Sequence, residues 1–184
     1  YQDYYDDYFQ EIGFVPQDDV LHRDLTVQET LRYSIKIRGL AKKQEQVTPL
    51  IKKTLTMLDL EKAADVIIGD ETKKGISGGQ RKRVNLALEL LSENPSILML
   101  DEPTSGLDPG TELQIHKMLR ELSMQGILIL MVSHSLYEAT LNLLDMVLIL
   151  TNEGEVAYFG PALDAKHYFQ VDTPEEIFGI LLKK

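Results

Sequence analysis

Two adjacent carboxylates, Asp101 and Glu102, close a short apolar run, Ile97-Leu98-Met99-Leu100, and lead into Pro103-Thr104-Ser105-Gly106-Leu107-Asp108. An apolar run this short suits a strand buried on both faces. Delivering two acids to the end of such a strand is costly unless they meet a cation or do chemistry. In open α/β sheets the carboxyl end of a strand is where ligands bind. Taken alone, the segment also fits a strand that runs into a solvated acidic turn. A second segment, Gly75-Ile76-Ser77-Gly78-Gly79-Gln80-Arg81-Lys82-Arg83, stands just upstream. Ser77 suits a helix N-cap, and Gly78 and Gly79 let backbone approach a ligand closely. A helix start with free N–H groups and a positive dipole end is an anion site, and Arg81, Lys82 and Arg83 deepen that potential. Alone it also fits a capped surface helix with a solvated basic turn; its place before the acid-tipped strand favours the anion site.

These residues need elements to position them. Ile12 to Val15 reads as a strand ending at Pro16, which puts Gln17 on the loop that follows. Val27 to Ile37 reads as a helix stopping near Gly39, and Pro49 to Leu60 as a second, with Pro49 at a tolerated early position. Gly69 to Gly75 is a polar loop. Gly79 to Leu91 reads as a helix with Val84, Leu88 and Leu91 on one face, ending before Pro95. Ile97–Leu100, Ile127–Val132 and Met146–Leu150 are apolar strands separated by helices at about 110–123 and 135–143. Glu155 to Phe159 reads as a hairpin arm after a turn at Asn152-Glu153-Gly154, and Ala162–Phe169 and Pro174–Leu182 as short terminal helices. Strands alternating with helices predict an α/β fold with a parallel sheet and right-handed crossovers.

Composition sets the outer bounds. The 184 residues, 43% hydrophobic, suffice for one core or a core with a subdomain. A net charge of −10 argues against a nucleic-acid footprint. The absence of cysteine excludes disulfides and thiol chemistry and fits a reducing compartment. The longest apolar run, Ile127 to Val132, falls far short of the ~20 residues that span a bilayer.

Taken together, the motifs resemble the nucleotide-binding domain of an ATP-binding cassette (ABC) transporter. Ile76-Ser77-Gly78-Gly79-Gln80 resembles the signature loop, with Ile76 in place of the usual Leu. Ile97 to Glu102 resembles the Walker B strand and its adjoining glutamate. Ser105-Gly106-Leu107-Asp108 resembles the D-loop, Ser133-His134 the switch-histidine loop, and Val15-Pro16-Gln17 the glutamine loop. Pro16-Gln17-Asp18-Asp19, Leu25-Thr26-Val27-Gln28-Glu29-Thr30-Leu31, Arg81-Lys82-Arg83-Val84 and Tyr158-Phe159-Gly160-Pro161 resemble the G-type cassettes of half-transporters.

The resemblance implies a P-loop NTPase-like fold, with a parallel sheet and a helical subdomain at about residues 22–94; residues 1–21 and 95–184 would form the remainder of the catalytic core. It implies ATP hydrolysis with Mg²⁺: Asp101 and Gln17 at the metal, Glu102 orienting or deprotonating the attacking water, and His134 on the γ-phosphate. It also implies a head-to-tail dimer in which Ser77, Gly78, Gly79 and Gln80 serve the opposite nucleotide and Asp108 lines the interface. A transmembrane domain would contact residues 17–31 and place the cassette on the cytoplasmic face of a membrane, with transport in the export direction. No Gly-x-x-x-x-Gly-Lys-Ser/Thr run occurs, and only sixteen residues precede Gln17. The expectation is therefore a cassette without its P-loop portion, inactive alone, whose sheet lacks a central strand. Tyr1, Tyr4, Tyr5 and Tyr8 match no adenine-stacking position. Two other readings stay open: a soluble ABC ATPase outside transport, and a non-catalytic fragment that acts only in dimerisation or interaction.

Overall fold

The computed structural model describes residues 11–41, 43–70, 72–91 and 95–181, divided into two compact units, Tyr1–Val132 and Ser133–Lys184. Tyr1, Tyr4, Tyr5 and Tyr8 lie outside the described residues.

In the first unit, strands β1 (Ile12–Val15), β2 (Ile97–Asp101) and β3 (Leu128–Val132) form a parallel sheet in the order β1-β2-β3. The register pairs Val15 with Leu100 on one side of β2 and Asp101 with Val132 on the other. Four helices accompany them: α1 (Val27–Arg38), α2 (Gln44–Met57), α3 (Gly78–Leu90) and α4 (Pro109–Met124). Helix α1 begins where Thr26 and Glu29 close a reciprocal capping box, and ends at Gly39, whose φ of 65° is the left-handed cap that glycine adopts at low cost. Its buried residues Val27, Leu31 and Ile35 repeat with the helical period and join one core with Val84, Ala87, Leu98, Leu100, Leu119 and Leu122. Each fully buried leucine in that core contributes about 2 kcal/mol. Gly13 lets α3 lie against β1: a Cβ there would come within 2.9 Å of the Leu98 side chain and 3.2 Å of Glu89 Cβ.

Two helices depart from the sequence expectation. Helix α2 starts at Gln44, not Pro49, because the Gln46 side chain accepts from the Lys43 N–H at 3.1 Å while the Gln46 N–H bonds the Lys43 carbonyl at 3.0 Å; Pro49 sits inside the helix. It stops at Met57, where Asp59 takes a φ of 51° and the Leu60 N–H turns back to the Leu55 carbonyl. On α3 the buried stripe is Val84, Ala87 and Leu91, while Leu88 is half-buried at the mouth of a groove.

The sheet is covered on one face only by described residues of its own unit. Val15, Leu98 and Leu100 are buried. On the opposite face, Phe14, Leu130 and Val132 remain 54%, 49% and 56% exposed. Among the described residues, β3 has no strand on its outer edge.

The second unit carries an antiparallel hairpin of β4 (Met146–Leu150) and β5 (Val156–Pro161), with a bulge at Ile149/Leu150. Gly154, φ 83°, makes its turn, and the Thr151 N–H bonds the Glu155 carbonyl at 2.8 Å. Helices α5 (Glu138–Leu141), α6 (Ala165–Phe169) and α7 (Glu175–Leu181) complete it. Only four residues of the expected 135–143 helix are helical: Ser133 and Ser135 form a hydroxyl-bonded turn ahead of it. Lys166 joins Glu138 at 2.7 Å, and Ile149, Ala165 and Ile177 form a small core.

An open apolar sheet face beside an unpaired strand edge is a template for association. These 184 residues, purified alone, are expected to self-associate or to melt without cooperativity. Light scattering and a thermal scan check this; a monodisperse monomer with a sharp transition would contradict it.

Candidate functional site

The acid-tipped strand is built as a paired element. Asp101 is the last residue of β2, and the Glu102 N–H extends the β3 ladder by bonding the Val132 carbonyl at 3.1 Å. Glu102 itself has a φ of 45°. A left-handed backbone costs a residue with a Cβ about 1 kcal/mol or more, and such strain clusters at functional sites. The strain turns the chain sharply: the Ser105 N–H closes back on the Glu102 carbonyl at 3.1 Å. Pro103 and Thr104 are buried beneath the turn. Thr104 donates to the buried Glu112 at 3.3 Å, which fastens the turn to α4.

Strand β1 delivers Gln17 beside this turn, because its neighbour in the sheet is β2. Gln17 Nε2 donates to Glu102 Oε2 at 3.0 Å, across 85 positions of sequence. The structure thus brings together three of the expected site residues, Gln17, Asp101 and Glu102, at the carboxyl ends of adjacent strands. Among the described residues no group of three or more His, Cys, Asp or Glu side chains could hold a metal. One carboxylate from Asp101 and the amide oxygen of Gln17 still fit Mg²⁺, a hard ion that takes oxygen ligands and keeps several waters.

The glycine turn is a helix start in full. Ser77 caps α3: its Oγ accepts from the Gln80 N–H at 3.2 Å, and Gln80 Oε1 accepts from the Ser77 N–H at 2.9 Å. Its two glycines have different reasons to be bare. A Cβ on the buried Gly79 would lie 2.5 Å from Thr111 Cγ2, so close packing against α4 explains that residue. Gly78 is exposed, and a Cβ there would meet Leu107 at an ordinary 3.5 Å, so packing does not require a glycine. Of the pair, Gly78 is the one whose bareness packing does not explain.

The three cations are not directed at the anion site. Arg81 donates to the Gly69 carbonyl at 3.0 Å and lies 3.7 Å from Asp19; Arg83 bonds the Leu58 carbonyl and Asp59; Lys82 bonds the Gln17 carbonyl at 2.6 Å. Asp59 and Gly69 both have left-handed φ, and turns of that kind present carbonyls that a long basic side chain can satisfy. Sequence reasoning missed Lys82 as a contact of Gln17; the basic run was visible, but nothing in it distinguishes a strut from a solvated charge.

Asp108 caps α4. Its Oδ1 accepts from the Gly110 and Thr111 N–H groups at 3.1 Å each, and its Oδ2 from the Thr111 hydroxyl at 2.6 Å. The Thr111 hydroxyl, then the Thr111 and Gly110 amides, hold its carboxyl below the usual aspartate range. His134 belongs to the second unit, where it is exposed within the Ser133–Ser135 turn. His116 is buried, with Nδ1 at 3.0 Å from the Glu112 carbonyl, in keeping with a core role.

Val20, Leu25, Tyr33, Ile37, Arg38 and Leu88 are among the residues lining a groove of ≈ 220 Å³ that is mostly apolar, with His22, Thr30 and Ser34 also in its wall. Val20 and Ile37 on its rim are largely exposed. No described helix is long and apolar enough to cross a membrane.

Residues 2–105 match the protein-family model described as ABC transporter. ABC transporter G family member 28 of Arabidopsis thaliana is 39% identical over 175 residues, covering 92% of this chain and 16% of the relative. An ABC transporter ATP-binding/permease protein of Mycobacterium tuberculosis is 43% identical over 151 residues, 82% of this chain and 16% of its own length. A broad substrate specificity ATP-binding cassette transporter of Mus musculus is 39% identical over 162 residues, 85% of this chain and 24% of its own. The chain therefore spans a quarter or less of each of these relatives.

The Asp108 cap makes a prediction with a definite sign. Its native carboxyl titrates below the unfolded value, so its stabilisation is present above the ordinary aspartate range and fades as pH falls through the native value. Asp108→Ala is expected to speed amide exchange at the start of α4, and the variant-to-wild-type ratio should shrink on acidification. A ratio near one at neutral pH would remove the cap from the account.

Proposed function

This chain belongs to the ABC transporter family, within its G-type cassettes, and from that premise we propose that it is part of an ATP-hydrolysing subunit that drives transport across a membrane, in the export direction. The observation that carries the reading is the Gln17–Glu102 contact, 3.0 Å between the carboxyl ends of adjacent strands. A carboxylate held by an amide donor keeps one oxygen oriented while the other accepts a proton. Glu102 would orient and deprotonate the attacking water, and the left-handed backbone that turns it off the strand serves that aim.

Asp101 and the Gln17 amide oxygen would hold Mg²⁺, which when bound neutralises charge on the phosphate oxygens. Phosphoryl transfer asks mainly for such positioning and charge neutralisation. The start of α3 would receive the γ-phosphate of a nucleotide bound by a second cassette. Ser77 Oγ accepts from Gln80, so its hydroxyl proton is left to donate, and the exposed Gly78 N–H lies at the positive end of the helix dipole. Gly79 and Gln80 shape that turn from within. Asp108, exposed beside it, would line the interface between cassettes. His134 is assigned the γ-phosphate by its motif and its order in the chain.

Such a site is completed only when two cassettes pair head to tail, and loss of the γ-phosphate weakens the pairing. The mostly apolar groove rimmed by Val20 and Ile37 would receive the transmembrane partner, which would fix the cassette to the cytoplasmic face.

In the intact protein, Glu102→Gln is expected to lower ATP turnover by about a hundredfold or more while nucleotide-bound dimers persist. Undiminished hydrolysis in that variant removes Glu102 from the mechanism. The 184 residues alone are expected not to bind ATP tightly; micromolar affinity in calorimetry, with no partner added, would mean that the nucleotide is held by groups within this chain.

A further inference from the structure

Lys82 contributes none of the chemistry just described, yet it makes one of the shortest polar contacts in the site. It lies on α3 five positions beyond the Ser77 cap, so about 7.5 Å along the axis of one rigid helix separates them. Its ammonium donates to the Gln17 main-chain carbonyl at 2.6 Å, a charge-assisted bond. Lys82 shares a narrow apolar crevice with Arg83, Val15, Leu86, Leu100, Pro103 and Ile115, where the ends of β1 and β2 meet the helix. Gln17 in turn donates through its side chain to Glu102. The contacts form a line: glycine turn, helix, Lys82, Gln17 main chain, Gln17 amide, Glu102.

Arg81 and Arg83, the neighbours of Lys82, bind the Gly69 and Leu58 carbonyls, and Arg81 also lies 3.7 Å from Asp19. Of the three, Lys82 is the one that bonds Gln17. We infer that Lys82 is a positioning residue that makes the Gln17–Glu102 contact depend on where the glycine turn sits. The inference rests on the reading above, in which the two ends of the line serve different nucleotides: Glu102 its own, Ser77 and Gly78 the partner's. Engagement of the turn by the second nucleotide then moves α3, α3 moves the Gln17 main chain through Lys82, and Glu102 is aimed or released. The step is a displacement of existing groups, with no bond made or broken beyond hydrogen bonds.

The test uses the full-length protein in its membrane assembly, with ATP as the probe. Lys82→Met keeps the stem in its crevice and removes the donor; Lys82→Arg restores a cationic donor. Lys82→Met is expected to lower kcat about tenfold, inside the roughly hundredfold that a misplaced catalytic group can cost. KM for ATP and the melting temperature should stay near wild type, and Lys82→Arg should recover most of the rate. Because the effect passes through the Gln17 amide, Lys82→Met should cost nothing further in a Gln17→Ala background.

Full additivity of the two substitutions overturns the inference, as does a raised KM with unchanged kcat. If Lys82→Met fails to fold, Lys82→Arg decides: turnover within about threefold of wild type with cooperativity between sites retained supports the strut, and retained turnover with cooperativity lost overturns it. Additivity alongside an inactive Glu102→Gln sinks only the strut. A wild-type protein without ATP turnover, or a Glu102→Gln variant as fast as wild type, sinks the proposed function as well.

Discussion

Strand β2 is the constraint on which the first unit depends. It is hydrogen-bonded along both edges, to β1 and to β3, and turns Leu98 and Leu100 into the core shared by the helices. A strand fixed on two edges and one face cannot slide, because a one-residue slip would carry its apolar side chains to the wrong face. Its carboxyl end is therefore a rigid mount. Asp101 is held on the ladder by its pairing with Val132, and the strain at Glu102 is sustainable because the residues before and after it are over-determined. Gln17 meets Glu102 because the neighbouring strand ends at the same level.

The helical segments solve a second problem, that of placing a helix start near the mount without filling the space a ligand needs. Helix α3 lies close on β1 at Gly13 and close on α4 at Gly79, two positions where a methyl group would collide. Small residues set the distance, and Arg81, Lys82 and Arg83 tie the helix to the segments around it. Ion pairs and hydrogen bonds at partly exposed sites contribute little individually, so the three serve alignment more than stability.

Much of this was legible in the sequence. Hydrophobic run length placed β1, β2, β3 and β4 to within a residue at either end, because each is a short apolar run bounded by polar or turn residues. The Ser77 cap was equally legible, since its side-chain chemistry acts within one turn. Errors arose where a local signal was outweighed. Pro49 suggested a helix start, but Gln46, whose side chain turns back on the Lys43 N–H with no Ser, Thr, Asp or Asn ahead of it to mark the cap, began the helix earlier. Leu88 satisfied the periodicity of α3 and yet lines a groove, because the neighbouring helix leaves that flank open. The contacts of Lys82 and the distinction between Gly78 and Gly79 depend on segments far away in sequence, and no local pattern encodes them.

The backbone at Glu102 has an implication for any attempt to harden this protein. Glycine adopts a φ of 45° without penalty, so exchanging Glu102 for glycine would relax the turn by about 1 kcal/mol. Selection for thermal tolerance alone would reward that exchange and discard the carboxylate. At this position durability and chemistry pull on the same residue in opposite directions.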